Sequence, residues 1–319
     1  MTRVALVGLG DIGMTAHLPA LTRHPEVTIA CLVDPSPDRR KVAGDAFRTE
    51  ASVDDAIAAH KIDAFVLATP PWVTSDLAAR LLAEDWFVLA EKPITNAGAF
   101  QNLTTAQRRR LQVGLTYRHD PALARLREWI KGGRLGARLL VRAHIYDEVR
   151  RPADKAHARR IEATLAHGAP VIHEGSHLFD WLAFLIGGVP DICDAWSMPT
   201  RDGLAAANLI GARLRYPDGT QVLAEFGWLT EALPPCEITV LGDLGTATLR
   251  LDTFELELRD AKGTENVSFP VDRVTRCFDL QLSRFVDLVR GRELHPHPDL
   301  NDGLQAMRVS EAVFRRAAA

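Results

Sequence analysis

The feature that most constrains the fold lies at the start of the sequence, where an apolar stretch runs directly into a glycine-rich loop. Residues 3–7 predict a short buried strand, and the loop reads GLGDIG at 8–13. A predicted helix follows, and then a second strand at 27–33 that ends at Asp34. A strand, a loop with this glycine spacing, a helix and a second strand ending in an acid together predict the βαβ unit that binds a dinucleotide.

Each glycine of this loop has a physical role toward a dinucleotide. Gly8 allows the tight turn, Gly10 lets the backbone approach the pyrophosphate, and Gly13 lets the helix pack on the strand. Asp11 and Ile12 lie in the same loop, and the helix N-terminus that follows favours negative charge. We therefore predict that the loop holds the pyrophosphate of the cofactor. An ordinary glycine-rich loop is the alternative.

The acid after the second strand bears on which dinucleotide is bound. Asp34 is placed to accept hydrogen bonds from the adenosine ribose hydroxyls, and its carboxylate would repel the 2′-phosphate of NADP. NAD is therefore the predicted cofactor, with NADP as the second candidate. Arg39 and Arg40 follow shortly after and could favour NADP, so Arg39 is kept as a candidate contact. A solvated helix face is the simpler interpretation of both arginines.

Helical and strand patterns go on alternating through the first third of the chain. This alternation predicts a parallel, doubly wound sheet, in which ligands lie at the carboxyl ends of the strands. Two more polar stretches come at such ends, Thr69-Pro70 and Glu91-Lys92, and Thr74 follows the first of them. We expect all of them to line the same cleft as the glycine loop.

Lys92 is the most suggestive of these residues. Six of the 38 Lys and Arg residues are lysines, so the chain uses arginine almost wherever it needs positive charge, yet Lys92 ends an apolar strand. Arginine stays protonated at working pH, whereas a lysine can take part in proton transfer. The alternative is a surface lysine at a strand end, fixed in place by Pro93.

The pattern changes after residue 121. A helix at 122–131 and a long strand at 137–146 lead to a helix that carries His177 and Asp180. Strands without intervening helices then follow, at 192–198, 208–216, 221–228, 237–241, 246–251 and 255–258. Such a series predicts a large, mostly antiparallel open sheet, so the fold class is α/β with a C-terminal α+β domain.

These patterns divide the chain into two domains. Residues 1–119 are predicted to form a dinucleotide-binding Rossmann domain, and residues 120–319 a domain for substrate binding and oligomerisation, which two helices at 277–290 and 304–316 complete. A broad open sheet face is usually covered by another subunit. We therefore expect a homodimer or homotetramer formed through the C-terminal sheet.

Composition limits the partners and the compartment. The net charge of −3 gives no field that would attract nucleic acid or an anionic membrane. The longest later apolar run, 178–189, is interrupted by Asp180 and cannot span a bilayer. The four cysteines are widely spaced without a CxxC pair, which favours free thiols in a reducing compartment. We predict a cytoplasmic protein whose partner is a small molecule.

Several stretches, in this order, resemble the family of NAD(P)-dependent oxidoreductases that includes glucose-fructose oxidoreductase, inositol dehydrogenase and MocA (the Gfo/Idh/MocA family). They are GLGDIGMTAHLPAL at 8–21, ATPP at 68–71, EKP at 91–93, VGLTYRHDPAL at 113–123, GSHLFDWLAFLIG at 175–187, CEITVLGDLGTATLRL at 236–251 and LNDGLQAMRVSEAV at 300–313. The resemblance covers nearly the whole chain. It implies hydride transfer between a nicotinamide and the carbinol carbon of a sugar, cyclitol or related polyol.

The resemblance also implies roles for individual residues. By position, Lys92 would hydrogen-bond the reacting hydroxyl, and His177 would be the general acid/base, with Asp180 on nearly the same helix face. An imidazole suits proton transfer near neutral pH, and a lysine ammonium suits the stabilisation of an alkoxide. The alternative for His177 is a core histidine that donates to a carbonyl.

Two positions depart from the pattern of the family. His173 lies where members with the full site usually carry Asp, and Thr74 lies where a histidine is usual. An imidazole cannot raise the basicity of His177 as a carboxylate does. Glu174 could supply the missing charge only if the helix starts after it. His173 is kept as a candidate catalytic residue, and a regulator that binds dinucleotide and sugar without catalysis stays open as an alternative.

The residues from His173 to His177 also read HExxH, the signature of zinc metallopeptidases. Two imidazoles at i and i+4 would face one way, but Gly175 lies inside the would-be helix and no further ligand follows at the expected spacing. A zinc hydrolase is therefore the least favoured alternative, and no metal is predicted.

Overall fold

The computed structural model describes residues 1–44, 46–151 and 153–319. The chain divides into two compact units. The first consists of Met1–His119 and Val274–Leu304, and the second of Asp120–Arg273 and Gln305–Ala319.

The secondary structure alternates at first and then becomes rich in strands. The strands are β1 Thr2–Val7, β2 Val27–Val33, β3 Thr49–Glu50, β4 Ala64–Leu67, β5 Phe87–Glu91, β6 Leu111–Gly114, β7 Leu140–Glu148, β8 Asp191–Met198, β9 Leu209–Arg215, β10 Gln221–Trp228, β11 Glu237–Leu241, β12 Gly245–Arg250, β13 Leu256–Asp260 and β14 Gly263–Val267. The α-helices are α1 Leu18–Arg23, α2 Pro37–Val42, α3 Val53–Ala59, α4 Pro71–Ala83, α5 Thr105–Arg108, α6 Pro121–Lys131, α7 Lys155–Leu165, α8 Pro170–Leu185, α9 Arg273–Val289 and α10 Leu300–Ala317. A π-helix lies at Gly13–His17, and short 3₁₀ segments lie at Ala97–Phe100 and Thr116–His119.

The first unit is built on a parallel sheet. Strands β1 to β6 lie in the order β3-β2-β1-β4-β5-β6, and each neighbouring pair is parallel. This is the doubly wound order, in which the chain reverses its direction across the sheet next to β1, and it confirms the predicted fold class. Because the strands are parallel, the carboxyl ends of β1, β2, β4 and β5 share one edge of the sheet. The predicted cofactor residues follow these ends.

Apolar side chains cover both faces of this sheet. Successive residues of a strand point to opposite faces, so Val4 and Leu6 of β1 belong to one hydrophobic cluster while Ala5 and Val7 belong to another. A strand that is buried on both faces has no reason to alternate with polar residues. The sequence of β1 is therefore a nearly continuous apolar run.

Helix α9 packs in the first unit, although the sequence analysis placed this segment in the second domain. Its buried side chains join the cluster that contains Val4 and Leu6 of β1, and they are Phe278, Leu282, Phe285, Val286 and Leu288. Their spacing is that of one face of a helix, and this face covers the parallel sheet. Residues 274–304 therefore belong with the first unit, while the functional assignment of each domain stays a prediction.

The second unit is built on the predicted, mostly antiparallel sheet. Strands β7 to β14 lie in the order β14-β13-β12-β11-β7-β10-β9-β8. Strands β7 and β10 run parallel, and the other neighbouring pairs are antiparallel. Helix α8 packs against β7, β9 and β10. Along β10 the side chains alternate, since Val222 and Ala224 are buried whereas Leu223 is 38% exposed.

Two elements of the second unit were not predicted, and both are polar. Strand β14 has the sequence GTENV, which offers no apolar alternation. Helix α7 buries Ile161 and Leu165 and is otherwise largely charged or small. Strand β14 therefore lacks the alternation by which a strand is predicted, and the two apolar residues of α7, although four positions apart, are too few to predict a helix.

Two further findings concern membrane spans and the cysteines. Within the described residues, no helix is both long and apolar enough to cross a membrane. No disulfide joins the four cysteines, all of which lie in described positions. Burial raises the pKa of the Cys31 thiol to about 11, so this thiol stays protonated and unreactive at neutral pH.

His119 at the end of the first unit is a half-buried histidine whose charge should affect folding. In the part of the chain that the structure describes, its Nε2 atom is buried and has no hydrogen-bond partner. Burial lowers the pKa of this imidazole to about 3, and the charges of Arg284 and Arg118 act in the same direction. An unfolded histidine titrates near pH 6.5. The stability that depends on the neutral ring is therefore complete above about pH 6.5 and is lost as the pH falls toward the folded value.

We expect the variant His119→Gln to lose less stability on acidification than the wild type, because glutamine takes up no proton. Between about pH 6.5 and pH 5 the free energy of unfolding of the wild type should fall by up to about 2 kcal/mol more than that of the variant. Urea unfolding at several pH values measures both. The exposed His295, replaced by Gln, is the control. Equal pH dependence of wild type and His119→Gln would contradict the assignment of a neutral ring in the folded state.

Candidate active site

The glycine loop after β1 is held against the neighbouring strand by backbone contacts. Gly8 has φ of +96°, and a Cβ atom there would lie 2.4 Å from the carbonyl oxygen of Ala68, which follows β4. A Cβ on Gly13 would lie 2.1 Å from the carbonyl oxygen of Gly8. A side chain at Gly8 would therefore push the loop away from β4, and one at Gly13 would push the start of the helix away from the loop. Gly10 differs, because a Cβ there would meet no atom within 4 Å.

The loop suits a dinucleotide pyrophosphate on two grounds. The open space at Gly10 leaves its backbone accessible. Helical backbone begins directly after Gly10, whose carbonyl accepts the N–H of Met14 at 2.9 Å, and Asp11 and Ile12 are exposed at this start. The first N–H groups of a helix have no acceptor within the helix and favour a phosphate. These residues fit the group that the sequence predicts.

Asp34 lies directly beside this loop. Its carboxylate is buried, and one oxygen accepts the N–H of Leu9 at 2.9 Å while the other accepts the N–H of Ser36 at 2.9 Å. A carboxylate oxygen can accept more than one hydrogen bond, so both oxygens keep capacity for ribose hydroxyls. The guanidinium of Arg39 lies 3.5 Å from the same carboxylate, and its side chain is 56% exposed. The charge of Asp34 is thus partly balanced by a side chain that is able to move.

The segment after β4 is stabilised by its own hydroxyl groups. The hydroxyl of Thr74 lies 2.8 Å from that of Thr69 and donates to the carbonyl oxygens of Thr69 or Pro70 at 2.9 and 3.1 Å. Thr74 is buried, so its structural role is to close this turn. Its predicted contact with the cofactor stays a prediction. Trp72 at the start of α4 is 66% exposed, and the sequence analysis did not identify it as a candidate.

The residues at the end of β5 form a compact polar group. Glu91 is the last residue of β5, and the peptide bond between Lys92 and Pro93 is cis. One carboxylate oxygen of Glu91 accepts the N–H of Lys92 at 3.2 Å. The other lies 2.8 Å from Nε2 of His17, a residue that the sequence analysis did not select. The carboxylate of Glu91 therefore fixes the backbone from which the side chain of Lys92 extends.

Helix α8 in the second unit carries the other candidate residues. His177 and Asp180 are buried, and they lie three residues apart on nearly the same helix face. The ring of His177 stacks on Trp181 with a centroid distance of 5.8 Å. The ring of His173 stacks on Trp228 of β10 at 5.2 Å. The structure thus brings the three predicted residues together on one helix.

The HExxH segment lies in the middle of α8, in a densely packed region. A Cβ on Gly175 would lie 2.4 Å from the hydroxyl oxygen of Ser310 on α10, so the two helices approach closely at this glycine. Across the described residues, no group of three His, Cys, Asp or Glu side chains is arranged to hold a metal ion. The packing of the segment is therefore explained by helix contacts.

Comparison with known proteins gives matches to both parts of the chain. An oxidoreductase family with an NAD-binding Rossmann fold matches residues 2–117, and the GFO/IDH/MocA C-terminal domain matches residues 123–248. The rhizopine catabolism protein MocA of Rhizobium meliloti is 30% identical over 263 residues, which cover 78% of each chain. The chain belongs to the Gfo/Idh/MocA oxidoreductase family. Inositol 2-dehydrogenase of Leifsonia xyli subsp. xyli is 28% identical over 326 residues, covering 98% of this chain and 92% of that protein.

A solved structure agrees with this membership of the Gfo/Idh/MocA family. The WlbA dehydrogenase of Bordetella pertussis, in complex with NADH and UDP-GlcNAcA, superimposes with a TM-score of 0.81 at 25% identity and covers 99% of this chain and 95% of its own. The predicted family, fold class, oxidoreductase activity and NAD cofactor are confirmed. The roles of the individual site residues stay predictions.

The contacts of Asp34 lead to a test of cofactor preference. We expect Asp34→Ala to weaken NAD binding about tenfold more than NADP binding, because the variant loses ribose acceptors but also loses a repulsive charge. Arg39→Ala should have the opposite preference and weaken NADP more, because the guanidinium can pair with a 2′-phosphate. Fluorescence titration with NADH and NADPH measures both. Equal losses for the two cofactors in both variants would contradict these assignments.

Proposed function

We propose that this oxidoreductase transfers a hydride between a nicotinamide and a secondary hydroxyl, or the corresponding carbonyl, of a cyclitol, sugar or related polyol. The observation that carries the proposal is the similarity to inositol 2-dehydrogenase, which extends over 98% of the chain. A likeness that includes both units favours a related substrate as well as a related cofactor. NAD is the proposed physiological cofactor because a carboxylate, Asp34, lies at the end of β2.

Hydride transfer requires the side chains of the protein to accept a proton and to stabilise a negative charge. The nicotinamide, when bound, supplies the acceptor or donor of the hydride. The hydroxyl must lose its proton as the hydride leaves, and we assign this proton to His177 as general base. Negative charge develops on the oxygen at the same time, and we assign its stabilisation to the ammonium of Lys92. In the reverse direction His177 returns the proton.

Two further residues of α8 complete the proposed machinery. Asp180 lies on nearly the same face of the helix as His177 and is buried, so it is the proposed partner that orients the imidazole. His173 lies where relatives with the full site usually carry Asp. Its imidazole cannot supply the negative charge that would raise the basicity of His177. We therefore expect the base of this protein to act at a lower pH than the base of a relative with Asp at this position.

The proposal extends to assembly and compartment. The exposed face of the second unit's sheet carries Leu223, Trp196 and Leu241, which are 38%, 41% and 46% exposed. Exposed apolar side chains on a broad sheet favour coverage by another copy of the chain. We propose a homodimer or homotetramer through this face. A reducing compartment, the cytoplasm, is proposed because the four cysteines form no disulfide.

The expected result with a panel of cyclitols, free sugars and nucleotide sugars is NAD reduction by at least one of them, followed by NADH absorbance. Lys92→Ala should lower kcat at least about a hundredfold, because the charge that stabilises the alkoxide is lost. NAD affinity should stay within a few-fold. The exposed Lys61, replaced by Ala, is the matched control and should leave kcat unchanged.

Two outcomes would contradict these assignments. Full activity of Lys92→Ala would show that the ammonium has another role. Binding of dinucleotide and sugar with no nicotinamide reduction by the wild type on any substrate would favour the non-catalytic regulator, which the histidine at position 173 keeps open.

We expect Leu223→Asp to convert the assembly into monomers, because the variant removes an apolar side chain from the contact face and buries a charge, and its cross-strand neighbours Arg142 and Arg213 would only partly offset the loss of hydration. Light scattering coupled to size-exclusion chromatography measures the mass. Leu294→Asp is the control, because Leu294 is 77% exposed and belongs to the first unit. A monomeric wild type, or a mass that Leu223→Asp leaves unchanged, would contradict assembly through this face.

A further inference from the structure

A buried histidine in the first unit is bound to the residue that precedes Lys92. His17 is 3% exposed, and its Nε2 atom lies 2.8 Å from one carboxylate oxygen of Glu91. Because an ionised carboxylate can only accept, Nε2 carries the proton and donates it. The ring of Phe278 lies edge-on against the imidazole at a centroid distance of 4.9 Å. The imidazole thus has an apolar neighbour and a charged hydrogen-bond partner.

The backbone at His17 has an unusual conformation. His17 ends the π-helix Gly13–His17, and the N–H of Leu18 donates to the carbonyl oxygen of Gly13, five residues earlier. Pro19 follows and has no N–H to give, so regular helical bonding is interrupted here in any case. A π-turn inserted in a helix shifts the direction of the side chains around it, and such turns are frequent at functional sites. The π-turn therefore contributes to the orientation of the His17 side chain toward Glu91.

The carboxylate of Glu91 is held on three sides. One oxygen receives the N–H of His17, and the other receives the backbone N–H of Lys92 at 3.2 Å. On the neighbouring strand, Gly114 pairs with Glu91, and a Cβ there would lie 3.0 Å from the carboxylate carbon. A larger residue at 114 would displace this carboxylate. The end of β5 is therefore arranged around one fixed carboxylate.

We propose that His17 is a positioning residue for hydride transfer, which acts through Glu91 on Lys92. The imidazole fixes the direction of the carboxylate, and the carboxylate fixes the N–H of Lys92 and hence the point from which its amine extends. This inference rests on the proposed role of Lys92. Small displacements of a catalytic group have large effects on rate because the reacting geometry is narrow. Loss of the imidazole should therefore reduce kcat more than it reduces cofactor affinity.

Three variants separate positioning from simple destabilisation. His17→Leu keeps the volume but removes the donor, whereas His17→Gln keeps an amide N–H near the position of Nε2. His60→Leu is the matched control, because His60 also places Nε2 2.8 Å from a glutamate oxygen, that of Glu50 on β3. We expect His17→Leu to lower kcat by about 10- to 100-fold with the KM for NAD within about threefold. His17→Gln should recover most of the rate, and His60→Leu should keep the kcat of the wild type.

A second readout needs no turnover. An amine-selective acylating reagent is applied to the protein without cofactor, and peptide mass spectrometry follows the labelling rate of each lysine. We expect His17→Leu to label Lys92 at least about threefold faster than the wild type does, because the turn that holds it is looser. Lys61 should label at the same rate in both.

Two results would overturn the inference: unchanged labelling of Lys92 in His17→Leu, or a fall in kcat as large in His60→Leu as in His17→Leu. Failure of the wild type to oxidise any polyol would instead contradict the proposed function. The labelling comparison would still decide whether His17 controls the backbone at Lys92.

Discussion

The close approach of the backbones of Gly8 and Ala68 is the contact on which the first unit depends. No atom larger than hydrogen fits at Gly8, since a Cβ would lie 2.4 Å from the carbonyl oxygen of Ala68. The N–H of Gly8 also donates to the carbonyl of Val33 at 2.8 Å. The loop after β1 is therefore fixed to the ends of both neighbouring strands. Asp34 and Thr69 come directly after those ends, and their proximity to the loop follows from these two backbone contacts.

Two carboxylates at strand ends are then used in the same way. Asp34 after β2 accepts the N–H of Leu9, and Glu91 at the end of β5 accepts the N–H of Lys92. Asp34 is buried and the side chain of Glu91 is only 12% exposed. A carboxylate without such partners would be unfavourable at either place, so each charge and the backbone that binds it stabilise one another. The first holds the glycine loop and the second holds the turn that bears Lys92. The chain thus fixes its loops by ionic hydrogen bonds at the edge where the ligand of a doubly wound sheet lies.

Contacts between residues close together in the sequence could be predicted, whereas contacts between residues far apart in the sequence could not. The glycine spacing and the acid after β2 lie within one βαβ unit, so their pattern is readable. The role of His17 could not be predicted, because its partner Glu91 is 74 residues away in the sequence. A histidine on a helix also has no distinguishing sequence pattern. The apolar face of α9 was evident in the sequence, but the sequence of an amphipathic helix does not indicate which sheet the helix covers. Its packing on β1 had to be found in the structure.

The histidine at position 173 is best understood together with the aromatic ring beneath it. The indole N–H of Trp228 donates to Asp147 at 2.6 Å, which fixes the plane of the ring, and His173 stacks on that plane. The face of an aromatic ring carries negative charge density, so a carboxylate would be repelled where an imidazole is held. Asp at this position would therefore lose the stacking contact that the imidazole makes with the indole. His173 and Trp228 therefore form one packed pair, in which the hydrogen bond to Asp147 that orients the indole also sets the surface on which the imidazole lies.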